Sequence, residues 1–210
     1  MKTADRARVF VLRHTPYGDS DLILQGIASD GRRLSFIARG ARRSRKRFGG
    51  GILEPGCHLE VVYTDSRQKR GGDSELLTLK EATLICGFDG LRSSWVKLNA
   101  ALEAIKTMSD LRDLDGPEVY DLLGHSLKAI EAAADPERIL VHFRFRLLAI
   151  QGVLSPEGPW GEIVRLRVRE FAQRTWDDLD WGALIQLSRD LVKRFKDGLN
   201  DAGETRTCIK

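Results

Sequence analysis

"VFVLRHTPYGDSDLILQGIASDGRRLSFIA", residues Val9–Ala38, decides how the first part of this chain folds. Its first apolar run, Val9–Leu12, sits inside Ala7–His14, and Pro16, Gly18 and Asp19 supply turn chemistry directly after it. A second run spans Leu22–Ala28, and Asp30-Gly31 then gives a strong hairpin signal. In the third, Arg32–Ala38, Leu34 and Phe36 fall on one face and Ser35 and Ile37 on the other, the period of a strand. Downstream, His58–Thr64 alternates in the same way, and Glu75–Ile85 follows the polar loop Asp65–Ser74. Five short strands with closely spaced turns predict a small all-β barrel.

The apolar period then changes. From about Ser94, the residues Trp95, Leu98, Leu102, Ile105 and Met108 recur at helical spacing. Pro117 opens a second helix in Gly116–Ala134, and Asp135-Pro136 opens a third in Asp135–Ser155, with Gly152 as its stop. Two more helices are predicted at Trp160–Arg174 and Asp180–Lys196. The expected organisation is α+β: a barrel domain over 1–86, a helical domain over 87–198, and a disordered tail over 199–210. "GFDG", Gly87–Gly90, marks the boundary.

Charge separates the same two parts. The first 80 residues hold 16 Lys and Arg against 9 Asp and Glu, a net of +7, while the remaining 130 hold 18 against 21, a net of −3. The polyanion-facing part is therefore the barrel. The densest cationic stretch is "IARGARRSRKRFGGG", Ile37–Gly51. Arg39, Arg42, Arg43, Arg45, Lys46 and Arg47 make up six of the nine residues from 39 to 47. Guanidinium groups hold phosphate bidentately and stack on bases, so this run is the candidate phosphate grip. An isolated basic run also fits a solvated loop. The position of this one between barrel strands, beside Arg6, Arg8, Arg13, Arg32, Arg33, Arg67, Lys69 and Arg70, favours the grip. The glycines that follow predict a hinge for a mobile loop. Among the aromatic residues, Phe10, Phe36 and Tyr63 lie within strands and are expected in the core, whereas Tyr17 and Phe48 lie in loops and are the candidate base-stacking residues.

Catalytic patterns are missing. His14, His58, His125 and His142 show no metal-binding spacing, and there is no nucleophile elbow, phosphate-binding loop or dinucleotide fingerprint. The acids of Asp110–Asp115 and Asp177–Asp180 read as helix ends. Cys57, Cys86 and Cys208 are scattered and form no CxxC pair, so neither a disulfide framework nor a zinc site is indicated. No cofactor, metal or enzymatic activity is expected. No apolar run approaches the roughly 18 residues of a membrane span, and Val9–Leu12 is too short for a signal segment, so the expected location is the cytoplasm. In the helical part, "HFRFRLLAI", His142–Ile150, is read as a core helix, with a groove for an apolar, acidic peptide as the alternative.

The order of these features resembles the RecO family of bacterial recombination mediator proteins. The resemblance rests on Tyr17 with Asp21, on Gly31, on Gly40-Ala41-Arg42-Arg43 leading into the basic run, and on Leu53 and Pro55. "VHFRFRLLAIQGVLS", Val141–Ser155, is similar to the same family's "RFELRLLxxLG"-type helix. It implies an OB-fold followed by a helical domain, in a non-enzymatic mediator of DNA repair and homologous recombination. Such a protein binds single- and double-stranded DNA, anneals complementary strands and helps load recombinase at gaps, with RecR and the single-strand-binding protein as partners. Many members carry a zinc-binding cysteine cluster after the helix matching Val141–Gly152. "PEGPWGEIVRLRVREF", Pro156–Phe171, has no cysteine, so no zinc is expected. Gly18 and Asp19 also stand where a glutamate is common. The alternatives are an RNA-binding OB-fold protein of the translation machinery and a protein-interaction adaptor.

Overall fold

The structure is a computed structural model that describes residues 4–65, 76–111 and 116–207. Arg67, Lys69, Arg70, Asp113, Asp115 and Cys208 lie outside these residues. The chain divides into two compact units, Met1–Asp89 with Asp115–Asp121, and Gly90–Leu114 with Leu122–Lys210.

The first unit is built on five strands: β1 (Asp5–Tyr17), β2 (Asp21–Ala28), β3 (Arg33–Ala38), β4 (His58–Thr64) and β5 (Leu77–Cys86). They close into a barrel in the order β1-β2-β3-β5-β4, with β1 pairing antiparallel to β2 along one edge and to β4 along the other. A short parallel pairing of Phe36 and Ile37 with Leu77 and Thr78 joins β3 to β5. A closed five-stranded barrel of this connectivity is an OB-fold. Alternation puts Leu34, Phe36, Leu59, Val61, Leu77 and Leu79 inside, together with Val9 and Val11 of β1. Phe36 and Tyr63 meet edge to face there at 5.4 Å between ring centroids.

The run Val9–Leu12 is buried throughout, because β1 is covered on both faces. Phe10, on the outer face, stacks on His58 at 4.4 Å and packs against Tyr120 at 4.8 Å, and Tyr120 Oη lies 2.6 Å from His58 Nε2. Burial, followed by the nearby charge of Arg8, lowers the His58 pKa. The Asp30-Gly31 turn forms as predicted. Asp30 accepts from the Arg32 N–H at 3.0 Å, and Gly31 has φ of +87°, where a side chain is strained.

The second unit is helical: α2 (Trp95–Asp110), most of α3 (Pro117–Ala132), α4 (Pro136–Ile150), α5 (Gly161–Arg165), α6 (Val168–Gln173) and α7 (Trp181–Thr207). A single helical turn, α1 (Arg45–Phe48), belongs to the barrel unit. Helix α4 is the core helix that "HFRFRLLAI" predicts. Phe143, Phe145, Leu147 and Leu148 are fully buried, and even Arg144 is only 3% exposed. Its guanidinium reaches Glu103 of α2 at 3.1 Å and Ser188 of α7 at 3.5 Å. Among the described residues, no helix is long and apolar enough to cross a membrane.

Two expectations for the helices need correcting. The helix predicted over Trp160–Arg174 is two short helices, because backbone carbonyls at the break bind side chains of α4. His142 Nε2 lies 3.0 Å from the Leu166 carbonyl, and Arg146 donates to Val164. The chain then restarts at Arg167, whose N–H donates to Glu170 at 2.9 Å. The second correction concerns α7, which runs to Thr207, through Gly198 and most of the segment expected as a tail. Extending a formed helix avoids the nucleation cost, and the interior glycines Gly198 and Gly203 cost only about 1 kcal/mol each.

His142 is fully buried and stacks on Phe171 at 4.3 Å. Burial dominates its environment and lowers its pKa to about 4. The unfolded chain therefore takes up this proton near pH 6.5, while the folded chain stays neutral down to about 4. The stability this group contributes is present above pH 6.5 and is lost as pH falls through that window, by about 3 kcal/mol in total. Urea titrations at pH 7 and pH 4 should show His142→Gln losing about 3 kcal/mol less than the unmodified protein.

Candidate nucleic-acid interface

The basic stretch leaves β3 at Ala38 and turns at Gly40, which has φ of +66°. The Gly40 N–H donates to Asp21 Oδ1 at 2.8 Å, and Ser20 Oγ is 3.3 Å from the same oxygen. The Arg42 N–H donates to the Ser20 carbonyl at 2.9 Å, and its guanidinium to the Asp19 carbonyl at 3.4 Å. The Arg43 and Ser44 N–H groups both donate to the Gly40 carbonyl, at 3.1 and 2.9 Å. Ser44 then caps α1, its Oγ accepting from the Arg47 N–H at 3.3 Å. Arg47 Nη2 donates back to the Arg39 carbonyl at 2.8 Å. Where the sequence predicts a mobile loop hinged on glycines, the chain forms a hydrogen-bonded turn and one helical turn, tied to the β1–β2 connection.

This arrangement sorts the candidate residues. Arg39, Arg42, Arg43, Lys46 and Arg47 are exposed, and Arg45 is the first residue of α1. Among the described residues, none of those five exposed cations forms a salt bridge. Two like charges about 8 Å apart repel by roughly 0.5 kcal/mol even in water, so the cluster keeps a net positive charge at some cost in repulsion. Tyr17 is 54% exposed and pairs with Asp21 across the turn that holds the basic segment. The fold links the basic segment to the Tyr17 turn through residues 19–21.

Phe48 is a correction. It is 5% exposed and belongs to the barrel core with Ala41 and Leu53, so it is unavailable to stack on a base. On the single turn of α1, Lys46 and Arg47 face solvent while Phe48 turns inward. Arg47 covers the ring, its guanidinium carbon 5.1 Å from the centroid. Position after a cationic run said nothing about direction. Phe10, Phe36 and Tyr63 are buried, in line with the core reading.

Sequence reasoning did not assign Asp21 and Ser44 their roles as anchors. The signals were present: Ser44 stands three residues before Arg47, the spacing of an N-cap, and Asp21 opens a strand. The acceptor role of Asp21 toward Gly40, 19 residues on, is a tertiary contact. Among the described residues, no three His, Cys, Asp or Glu side chains gather as a metal site.

The closed OB-fold barrel thus carries a cluster of exposed cations without salt-bridge partners, beside an exposed tyrosine. Residues 1–88 match the family described as Recombination protein O N terminal. It is 34% identical over 145 residues to the DNA repair protein RecO of Syntrophus aciditrophicus, covering 68% of this chain and 54% of that protein. The protein of the same name from Anaeromyxobacter dehalogenans strain 2CP-C is 33% identical over 146 residues, covering 69% and 55%. That of Desulfosudis oleivorans is 38% identical over 88 residues, covering 42% and 32%. The matched part thus spans little more than half the length of the first two relatives.

Removing the Asp21 acceptor should loosen the whole segment. Asp21→Ala is expected to cost about 2 kcal/mol in denaturant unfolding and to speed amide exchange at Gly40, whereas Asp21→Asn, which keeps an oxygen in place, should cost less than half of that. Phe48→Ala should cost about 3–5 kcal/mol, and Tyr17→Ala no more than about 0.5 kcal/mol. A large stability loss at Tyr17 with none at Phe48 would reverse the assignment.

Proposed function

We propose that this chain binds single- and double-stranded DNA through Arg39, Arg42, Arg43, Arg45, Lys46 and Arg47, with Tyr17 stacking on a base, and acts in DNA repair and recombination in the cytoplasm. The observation that carries the reading is the set of exposed cations without carboxylate partners, held in place on an OB-fold barrel. The name shared by the relatives, DNA repair protein RecO, supports the same direction.

The mechanism is electrostatic. Guanidinium groups pair with phosphates and release counterions, each contact adding about 0.7 to the salt slope on a single strand. Neutralised strands repel one another less, and contacts made at the backbone leave the base edges free to pair. In this way the surface promotes annealing of complementary strands without catalysing a covalent step. Helping to load recombinase at gaps, with RecR and the single-strand-binding protein as partners, completes the reading.

Fluorescence anisotropy over a salt series, with single-stranded DNA, duplex DNA and RNA, tests it alongside annealing of complementary oligonucleotides. Reversing Arg42, Arg43, Lys46 and Arg47 to Glu should abolish DNA binding and annealing while the far-ultraviolet circular dichroism stays unchanged. Tyr17→Ala should weaken single-strand binding by about 1–3 kcal/mol and duplex binding less. A preference for RNA with no annealing would favour the translation-type reading instead.

A further inference from the structure

Strand β1 carries a second cationic feature, far from the basic segment. Arg6 and Arg8 are two residues apart, so their side chains leave the same face of the strand. Both are exposed, and they line an open cleft with Ser29, Glu60, Tyr120 and Asp121, all within the barrel unit. Among the described residues, neither guanidinium makes a salt bridge or hydrogen bond, although Glu60 is the cross-strand neighbour of Arg8. The cleft floor is firm, because Tyr120 is buried and held to His58, and the Ser29 N–H donates to the Arg8 carbonyl at 3.0 Å. Tyr17 lies nine positions beyond Arg8, about 30 Å along the path of β1.

We propose that the Arg6–Arg8 cleft is a second anion site, which takes the phosphate backbone of a nucleic-acid strand independently of the Arg39–Arg47 segment. Two guanidinium groups on one strand face present parallel forks of donors, the geometry suited to phosphate oxygens. Glu60 and Asp121 bring the cleft close to neutral overall. It therefore has little long-range attraction and engages phosphate only at short range. That sets its affinity below that of the basic segment and makes it the later of the two sites to fill. The inference deepens the proposed DNA binding and rests on it for the identity of the ligand.

Equilibrium titration of the full chain with an oligothymidylate of about six nucleotides, near the lower end of barrel site sizes, counts the sites. Two oligonucleotides per chain are expected, and one for Arg6→Ala with Arg8→Ala. The salt slope of the weaker site, worth about 1.4 for two phosphates, should vanish with it. Glu60→Gln with Asp121→Asn should tighten the weaker site about threefold, a readout that does not depend on removing a residue from the proposed grip. One oligonucleotide per chain in the unmodified protein, unaffected by the Arg6 and Arg8 changes, would overturn the second site while leaving the first intact. Two sites that both survive alanine at Arg42, Arg43, Lys46 and Arg47 would overturn the basic-segment reading instead. Inorganic phosphate and thymidine monophosphate form the control arms. If they fill the cleft and the oligonucleotide does not, it is a site for free phosphate and the proposal fails.

Discussion

The barrel depends on one strand with a partner on each edge. β1 pairs with β2 from Val9 to Tyr17 and with β4 from Asp5 to Phe10, so it both starts the sheet and closes it. Serving two neighbours requires that β1 be buried on both faces where the pairings overlap, and Val9–Leu12 supplies that as an unbroken apolar run. Closure removes the free edges that an open sheet of this size would expose to other chains. Beyond Val11, which still exchanges backbone hydrogen bonds with Gly56 and Cys57, β1 continues beside β2, which carries Tyr17 and the following turn to the place where the basic segment docks.

That docking explains how so many like charges are held together. Repulsion among closely spaced cations favours an extended, solvated chain, and main-chain hydrogen bonds oppose it here. Gly40, Arg42, Arg43 and Ser44 all use their N–H groups within the segment or toward residues 20 and 21. Backbone bonds leave most of the guanidinium donors unspent. Arg42 and Arg47 each give one bond to a carbonyl, a neutral acceptor that does not cancel the charge. The one carboxylate of the anchor, Asp21, accepts from a backbone amide and makes no salt bridge with the arginines. The charges thus stay uncancelled within a fixed geometry.

Much of this was legible in the sequence. Period-2 patterning at Arg32–Ala38 and His58–Thr64, the Asp30-Gly31 turn and the switch to helical spacing near Ser94 are local signals, and each became the element it predicts. The cations were legible because solvent is their default environment. Phe48 was not, since a residue next to a charged run has no period from which to read its direction, and a single turn of α1 decided it. The break between α5 and α6 was also hidden. It arises where side chains of His142 and Arg146 bind carbonyls more than 15 residues away.

By itself the sequence determined the fold class, the barrel-then-helices order, and the presence of a cationic run with a loop tyrosine nearby. These depend on composition and on periods of two and 3.6 residues, which local backbone geometry imposes. Only the tertiary structure decided that the run is anchored by Asp21, that Phe48 belongs to the core, and that Arg6 and Arg8 face one cleft. The same holds for Arg144, a charge buried because Glu103 and Ser188 from distant helices reach it. In each case the deciding partner is remote along the chain, and a linear pattern carries no record of which distant groups meet.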